Sequence, residues 1–243
     1  MLLRLGGAKG SAPGEFRNPI DYDFDPENNI WVCDSQTSLI TVFDNKGTVL
    51  RTVRVAVSPM RIKVITRDRF LLMLSGAAQL FGVFDTTGRE VYSFGTFIED
   101  QIKNDIVLDG WLARVGREGF VYAPLYAGMF TSFSFRGELW SYAEAITPQP
   151  LPKLVVTVEG GTYVDPKAPI VHRDVCTIAD TTFILSRFGL PNDKESILDA
   201  YSVREGTYLY SIRIPKKVRS AVVTPHWVYT LADTSITIWK REC

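Results

Sequence analysis

Between residues 14 and 55, apolar residues come in short runs separated by clusters that form turns. Ile20 to Phe24 alternates apolar with charged side chains, the two-residue period of a strand. Asp25-Pro26-Glu27-Asn28-Asn29 follows as a turn, because Pro presets φ and Asn tolerates the left-handed region. Ile30 to Cys33 is a second strand, and Asp34-Ser35-Gln36-Thr37 a polar loop. Leu39 to Phe43 is a third strand. Asp44-Asn45-Lys46-Gly47 is a tight turn with glycine where φ must be positive, and Val49 to Val55 is a fourth strand.

The unit recurs. Its last turn returns as Val83-Phe84-Asp85-Thr86-Thr87-Gly88, as Phe133-Ser134-Phe135-Arg136-Gly137 and as Tyr201-Ser202-Val203-Arg204-Glu205-Gly206. The glycines stand 41, 49 and 69 residues apart; with 41 as the bare unit, the extras are 8 and 28, and five units with these extras account for 241 of 243 residues. Three strands of the fifth unit, at 221–223, 227–231 and 236–239, end the chain. Their fourth is expected at the other terminus, where Leu2-Leu3-Arg4-Leu5-Gly6 resembles Val91-Tyr92-Ser93-Phe94-Gly95. Four antiparallel strands per forty or so residues mark a β-propeller blade. The expected fold is thus all-β: a single β-propeller domain over residues 1–243 with five four-stranded blades. The blades cover residues 14–55, 58–95, 109–146, 172–215, and 218–243 plus 1–6, and the N-terminal strand closes the ring.

Three stretches carry a family resemblance: Gly10-Ser11-Ala12-Pro13-Gly14-Glu15-Phe16-Arg17-Asn18-Pro19, Asn29-Ile30-Trp31-Val32-Cys33-Asp34-Ser35, and Val42-Phe43-Asp44-Asn45-Lys46-Gly47. They resemble NHL-repeat propellers, and most of all the bacterial, six-bladed, TolB-like group. The resemblance implies six blades, which stands as the alternative to five.

Charge narrows the partners. Lys and Arg together number 27, as do Asp and Glu, so no whole-molecule field draws in nucleic acid or an anionic membrane. Arg213, Lys216, Lys217 and Arg219 form a basic cluster too brief, and too poor in interleaved aromatics, for a nucleic-acid face. No apolar run reaches the length of a spanning helix, and the first residues lack the apolar segment of a signal peptide. The expectation is a cytoplasmic protein or one peripheral to a membrane complex, with the periplasm as alternative. Cys33 and Cys176 read as small buried hydrophobes; Cys243 has no assigned role.

In a propeller, the loops between strands two and three and between blades share one face. The long insertions at 96–106, 147–171 and 187–196 all fall there, while the opposite face has only tight turns. On that elaborated face, Ala123-Pro124-Leu125-Tyr126-Ala127-Gly128-Met129-Phe130 is apolar where its counterpart around Asp34 is polar, and Phe188-Gly189-Leu190-Pro191 answers it from the next blade. Leu125, Tyr126, Met129, Phe130, Phe188 and Leu190 are therefore candidate partner-binding residues. The rival expectation is that 147–171 folds over these tips. Residues 154–158 with Gly160-Gly161 suggest a small hairpin in that segment. Arg17, Arg61, Arg173 and Arg219, each just before or at the start of a first strand, are candidate contacts for an anion or an acidic partner, unless they pair with acids of neighbouring blades.

Enzyme chemistry finds little footing. His172 and His226 are the only histidines and are 54 residues apart, and there is neither a Cys-x-x-Cys nor a Gly-x-Ser-x-Gly. Asp21, Asp23 and Asp25 mimic the start of a calcium loop but lack its glycine and distal glutamate. The expectation is a non-catalytic, cofactor-free scaffold that binds another protein and serves as a peripheral subunit of a larger complex, possible at a membrane surface. A metal-dependent hydrolase or lyase with a channel site, or a binder of small anions, is the alternative.

Overall fold

The structure, a computed structural model, describes residues 5–75, 77–96, 105–146, 149, 152–156, 162–186 and 195–241. It forms two compact units, Met1–Asp105 and Ile106–Cys243.

The first unit holds two four-stranded antiparallel sheets, each with its strands in chain order. One comprises β1 (Pro19–Phe24), β2 (Ile30–Asp34), β3 (Leu39–Phe43) and β4 (Val49–Arg54); the other comprises β5 (Ser58–Thr66), β6 (Arg69–Ser75), β7 (Phe81–Asp85) and β8 (Glu90–Phe94). The middle strands are buried along most of their length, whereas β1 and β4 alternate. The core between the two sheets packs Trp31, Ile40 and Val53 against Ile62, Phe70 and Phe84. Trp31 and Phe70 rings lie 5.5 Å apart, and the Arg51 guanidinium sits 4.7 Å from the Trp31 ring centre.

The second unit has β9 (Gly110–Val115), β10 (Gly119–Pro124), β11 (Met129–Ser134) and β12 (Leu139–Glu144) in its first sheet. A two-stranded hairpin follows, β13 (Leu154–Val156) with β14 (Thr162–Val164), in the segment where one is expected. Next come β15 (His172–Ile178), β16 (Thr181–Ser186), β17 (Ser196–Ser202) and β18 (Tyr208–Ile214). The last sheet is β19 (Ser220–Val223), β20 (Trp227–Leu231) and β21 (Ile236–Lys240), three strands among the described residues. Of the segment expected as its fourth, residues 1–4 lie outside the described residues.

The turn that set the repeat has one physical design. Its first residue turns a side-chain oxygen back onto the main chain. Asp44 accepts the N–H groups of Lys46 and Thr48 at 2.8 Å each, Asp85 those of Thr87 at 2.9 Å and Arg89 at 3.2 Å, and Ser134 those of Arg136 at 3.2 Å and Glu138 at 3.1 Å. The Thr87 hydroxyl, foremost among these donors, helps hold the Asp85 carboxyl at about 2. The register slips by one residue at the same place in each of the four-stranded sheets, before Phe43, Phe84, Phe133 and Tyr201. Gly88 shows why glycine is required: φ is 85°, and a Cβ there would stand 1.9 Å from the Arg54 carbonyl oxygen of the neighbouring sheet.

A second device joins neighbouring sheets. Asp21 accepts the N–H of Ile62 at 3.0 Å and Asp23 that of Val64 at 2.7 Å, partners 41 residues apart, which is the repeat length. In the second unit Asp174 likewise accepts the N–H of Ala221 at 3.0 Å, and the Thr177 hydroxyl donates to the Arg114 carbonyl. Replacing Asp23 by Ala orphans the Val64 N–H. It should cost about 1–3 kcal/mol in chemical denaturation; an unchanged midpoint would show that the bond contributes nothing.

Candidate functional site

The apolar loop between β10 and β11 is fixed by main-chain bonds at both ends. Leu125 N–H donates to the Asp109 carbonyl at 2.8 Å, and Ala145 N–H donates to the Gly128 carbonyl at 2.8 Å. The polar loop of the first sheet has the same pair: Ser35 N–H to Asn18 at 3.1 Å and Val55 N–H to Ser38 at 3.0 Å. The two loops differ in what else holds them. In the first, the Asp34 carboxylate accepts four N–H groups, from Arg17, Asn18, Gln36 and Thr37, at 2.6 to 3.0 Å. Burial alone would raise this carboxyl; the N–H donors outweigh it and hold it below the usual carboxylate range. Asp34 is thus committed to its own loop and to the chain entering β1.

In the second unit the matching position is Pro124, which has no carboxylate to offer. Its loop is buttressed from the next sheet instead. The His172 Nδ1 donates to the Pro124 carbonyl at 2.9 Å, and the Leu125 carbonyl accepts the N–H groups of Val171 at 2.7 Å and His172 at 3.3 Å. Gln149, from the segment expected to fold over the tips, accepts the Gly128 N–H at 3.3 Å.

The candidate residues separate on this frame. Leu125, Tyr126 and Met129 are half-buried, so each keeps an accessible face. Phe130 does not: it is fully buried in the core between this sheet and the next, with its ring 4.8 Å from that of Tyr201. Its expected place in the docking patch is therefore corrected to the core. It is the second residue of β11, and strand alternation turns it to the covered face. Phe188 and Leu190 lie outside the described residues. Nearby in the chain, Ile146 is 51% exposed and the hairpin shows Val156 at 67% and Tyr163 at 42%, so the segment adds apolar surface of its own.

The four arginines divide between the units. In the first, Arg17 is exposed and gives its backbone N–H to Asp34, while Arg61 is buried and donates from Nη1 to the Met60 carbonyl at 2.7 Å. In the second, Arg173 is half-buried on β15 and Arg219 pairs with Asp233 of its own sheet at 2.6 Å, both side chains well exposed. An exposed pair of that kind contributes little to stability. In the basic cluster, Arg213 pairs with Glu195 at 2.5 Å and Lys216 donates to Thr237 Oγ1 at 2.9 Å.

The carboxylates that mimic a calcium loop are spent on protein groups. Asp21 and Asp23 hold the next sheet, and Asp25 accepts from Glu27 and Asn29 main chain at 2.9 Å and from the Trp31 indole at 3.0 Å. No three His, Cys, Asp or Glu side chains converge as a metal-binding group among the described residues. Burial drives the Cys33 and Cys176 thiols up to about 12, far from thiolate chemistry; Cys33 is fully buried and Cys176 half-buried. No helix among the described residues is long and apolar enough to cross a membrane.

No protein-family model matches the chain, and no curated protein does. Solved structures do resemble it. A member of the DUF4221 family from Bacteroides vulgatus is 10% identical, over 97% of this chain and 82% of its own, with a TM-score of 0.59. The β-propeller domain of Cps50 (Swd1) from Myceliophteria thermophila is 13% identical, over 94% of this chain and 85% of its own, with a TM-score of 0.50. BBS1N, solved in complex with ARL6DN, is 8% identical over 90% of this chain and 60% of its own, with a TM-score of 0.55. At such identities the likeness shows the fold alone: the chain has the β-propeller fold, with five blade sheets.

His172 makes the buttress sensitive to pH. The ring is fully buried, and burial, against the pull of the Pro124 carbonyl, lowers its pKa from 6.5 to about 4. Folded, it stays neutral down to about pH 4; unfolded, it takes a proton near 6.5. Its contribution is complete above that value and is lost as the pH falls toward 4, about 3 kcal/mol in all. Urea titrations between pH 7 and pH 4 should show this slope, and the His172→Asn variant should flatten it.

Proposed function

We propose that the protein is a non-catalytic scaffold of the NHL-like kind that binds another protein through the loop between β10 and β11. One observation carries the reading: Leu125, Tyr126 and Met129 keep exposed apolar surface on a loop whose main chain is pinned by Asp109, Val171, His172, Gln149 and Ala145. Apolar side chains on a rigid backbone lose little entropy on docking, which is what an anchor at the centre of an interface requires. The loop of the first sheet has the same main-chain bonds and a polar sequence, so the architecture does not demand apolar residues there. The use of BBS1N in a complex with ARL6DN is in keeping with this reading. Propellers host both binders and enzymes, so the fold does not choose between them; the commitment of Asp21, Asp23, Asp25 and Asp34 to main-chain donors favours binding. The partner is a protein assembly in which this chain is a peripheral subunit, at a membrane surface if the assembly lies there.

The test uses affinity purification of the tagged full chain from its native host. A Leu125→Asp, Tyr126→Asp double variant should melt near the wild-type temperature yet lose at least nine-tenths of its specifically retained protein. Phe130→Ala should do the reverse, costing about 3–5 kcal/mol of stability as a large core truncation while the folded fraction still binds. Undiminished recovery with the double variant would overturn the assignment.

A further inference from the structure

The loop between β10 and β11 is tied to the next sheet at the start of β15. There the His172 ring holds the Pro124 carbonyl at 2.9 Å, and the N–H groups of Val171 and His172 hold that of Leu125 at 2.7 and 3.3 Å. A carbonyl only accepts, so the ring proton sits on Nδ1. Nε2 is left as a bare acceptor, fully buried and with no hydrogen-bond partner among the described residues. A second proton can go only to Nε2. It puts an N–H and a positive charge where nothing accepts either, and a buried charge without a partner is far costlier than an unused lone pair.

No neighbour offsets that charge. β15 packs against β9, β10, β16 and β19. The charged groups there are Arg173 and Asp174 on β15, Arg114 on β9 and Asp109 just ahead of it. Asp174 is engaged by Ser220 and Ala221. β10 and the loop add Tyr122 and Tyr126, β15 adds Cys176, and β16 and β19 carry no titratable side chain. None of these groups acts on the ring. Burial does, lowering its pKa from 6.5 to about 4 against the Pro124 carbonyl.

We propose that His172 is a proton-operated latch: on taking a second proton the ring leaves the core, the carbonyls of Pro124 and Leu125 are let go, and the loop loses the fixed frame that docking uses. The regulatory use rests on the docking reading; the latch itself does not. The sign follows from the lowered value. The closed loop is favoured above about pH 6.5, and that advantage is lost as the pH falls toward 4. An imidazole released to water regains a pKa near 6.5, so opening is favoured about thirtyfold more at pH 5 than at pH 8. The matching loop of the first sheet has no such latch. Its clamp is the Asp34 carboxylate, held below the usual carboxylate range and therefore charged throughout that interval.

Hydrogen exchange on the full chain tests the latch without a partner, read amide by amide by NMR between pH 8 and pH 5 and corrected for intrinsic rates. Protection of the Val171 and His172 N–H groups should fall about thirtyfold over that range. Protection of Asn18 and Thr37, held by Asp34, and of the β16 amides should change by less than about threefold. His172→Asn keeps a side-chain donor for the Pro124 carbonyl but does not titrate, so it should remove the dependence. If that variant does not fold, the comparison of the two loops within the wild-type chain is decisive by itself. Protection at Val171 and His172 that is independent of pH would overturn the proposal. So would a fall shared by the β16 amides, which would make the event the unfolding of a whole sheet. A wrong docking assignment shows instead in the recovery with the Leu125→Asp, Tyr126→Asp variant and leaves this exchange pattern in place.

Discussion

The interaction on which the rest of the structure depends is a hydrogen bond from a main-chain N–H to an aspartate side chain of the neighbouring sheet. The innermost strands β1 and β5 belong to different sheets and do not form a ladder with each other. Their N–H groups would be stranded where no strand can pair with them, and a stranded N–H costs more than a bond gains. Asp21 and Asp23 resolve this by reaching across to Ile62 and Val64, and Asp174 does the same for Ala221. Strand alternation makes the device possible. Every second residue of an inner strand faces the next sheet, so Asp21 and Asp23 share that face while Tyr22 and Phe24 take the other.

This explains why so much of the fold was legible in the residues. The turn from the third to the fourth strand needs an acceptor, two spacer residues and a glycine at positive φ, and Asp44 to Gly47 and Asp85 to Gly88 announce it without ambiguity. Three such turns, with a fourth from Ser202 to Gly206 that has one more spacer, set the spacing, and β3, for example, begins and ends where the apolar run does. The hairpin at Leu154–Val156 was visible for the same reason, as an apolar run ahead of two glycines.

The site was less legible. From Ala123 to Phe130 nearly every residue is apolar, so alternation, which elsewhere distinguishes the covered face from the open one, has no polar positions to show it. For that reason the sequence does not separate Phe130, which packs with Tyr201 in the core, from Leu125 and Met129. His172 was hidden for another reason. Its role depends on Pro124, 48 residues earlier in the chain, and no local pattern marks a bond of that span. The one available signal was negative: Pro124 stands where the first sheet has Asp34, so the carboxylate that clamps the earlier loop had to be replaced by something from elsewhere.

The two loops with matching main-chain anchors have a consequence for how such a protein changes over time. Because the bonds at Ser35 and Leu125, and at Ser38 and Gly128, join backbone atoms, those two anchors are blind to which residues fill the positions between them. A lineage can therefore rewrite the address displayed at one loop, from polar to apolar, with the two main-chain anchors left as they were, provided that the clamp beside them is exchanged as well, a carboxylate at Asp34 for a buttress at His172. Display is then free to vary between the anchors, while the residue that clamps each loop is bound to the frame.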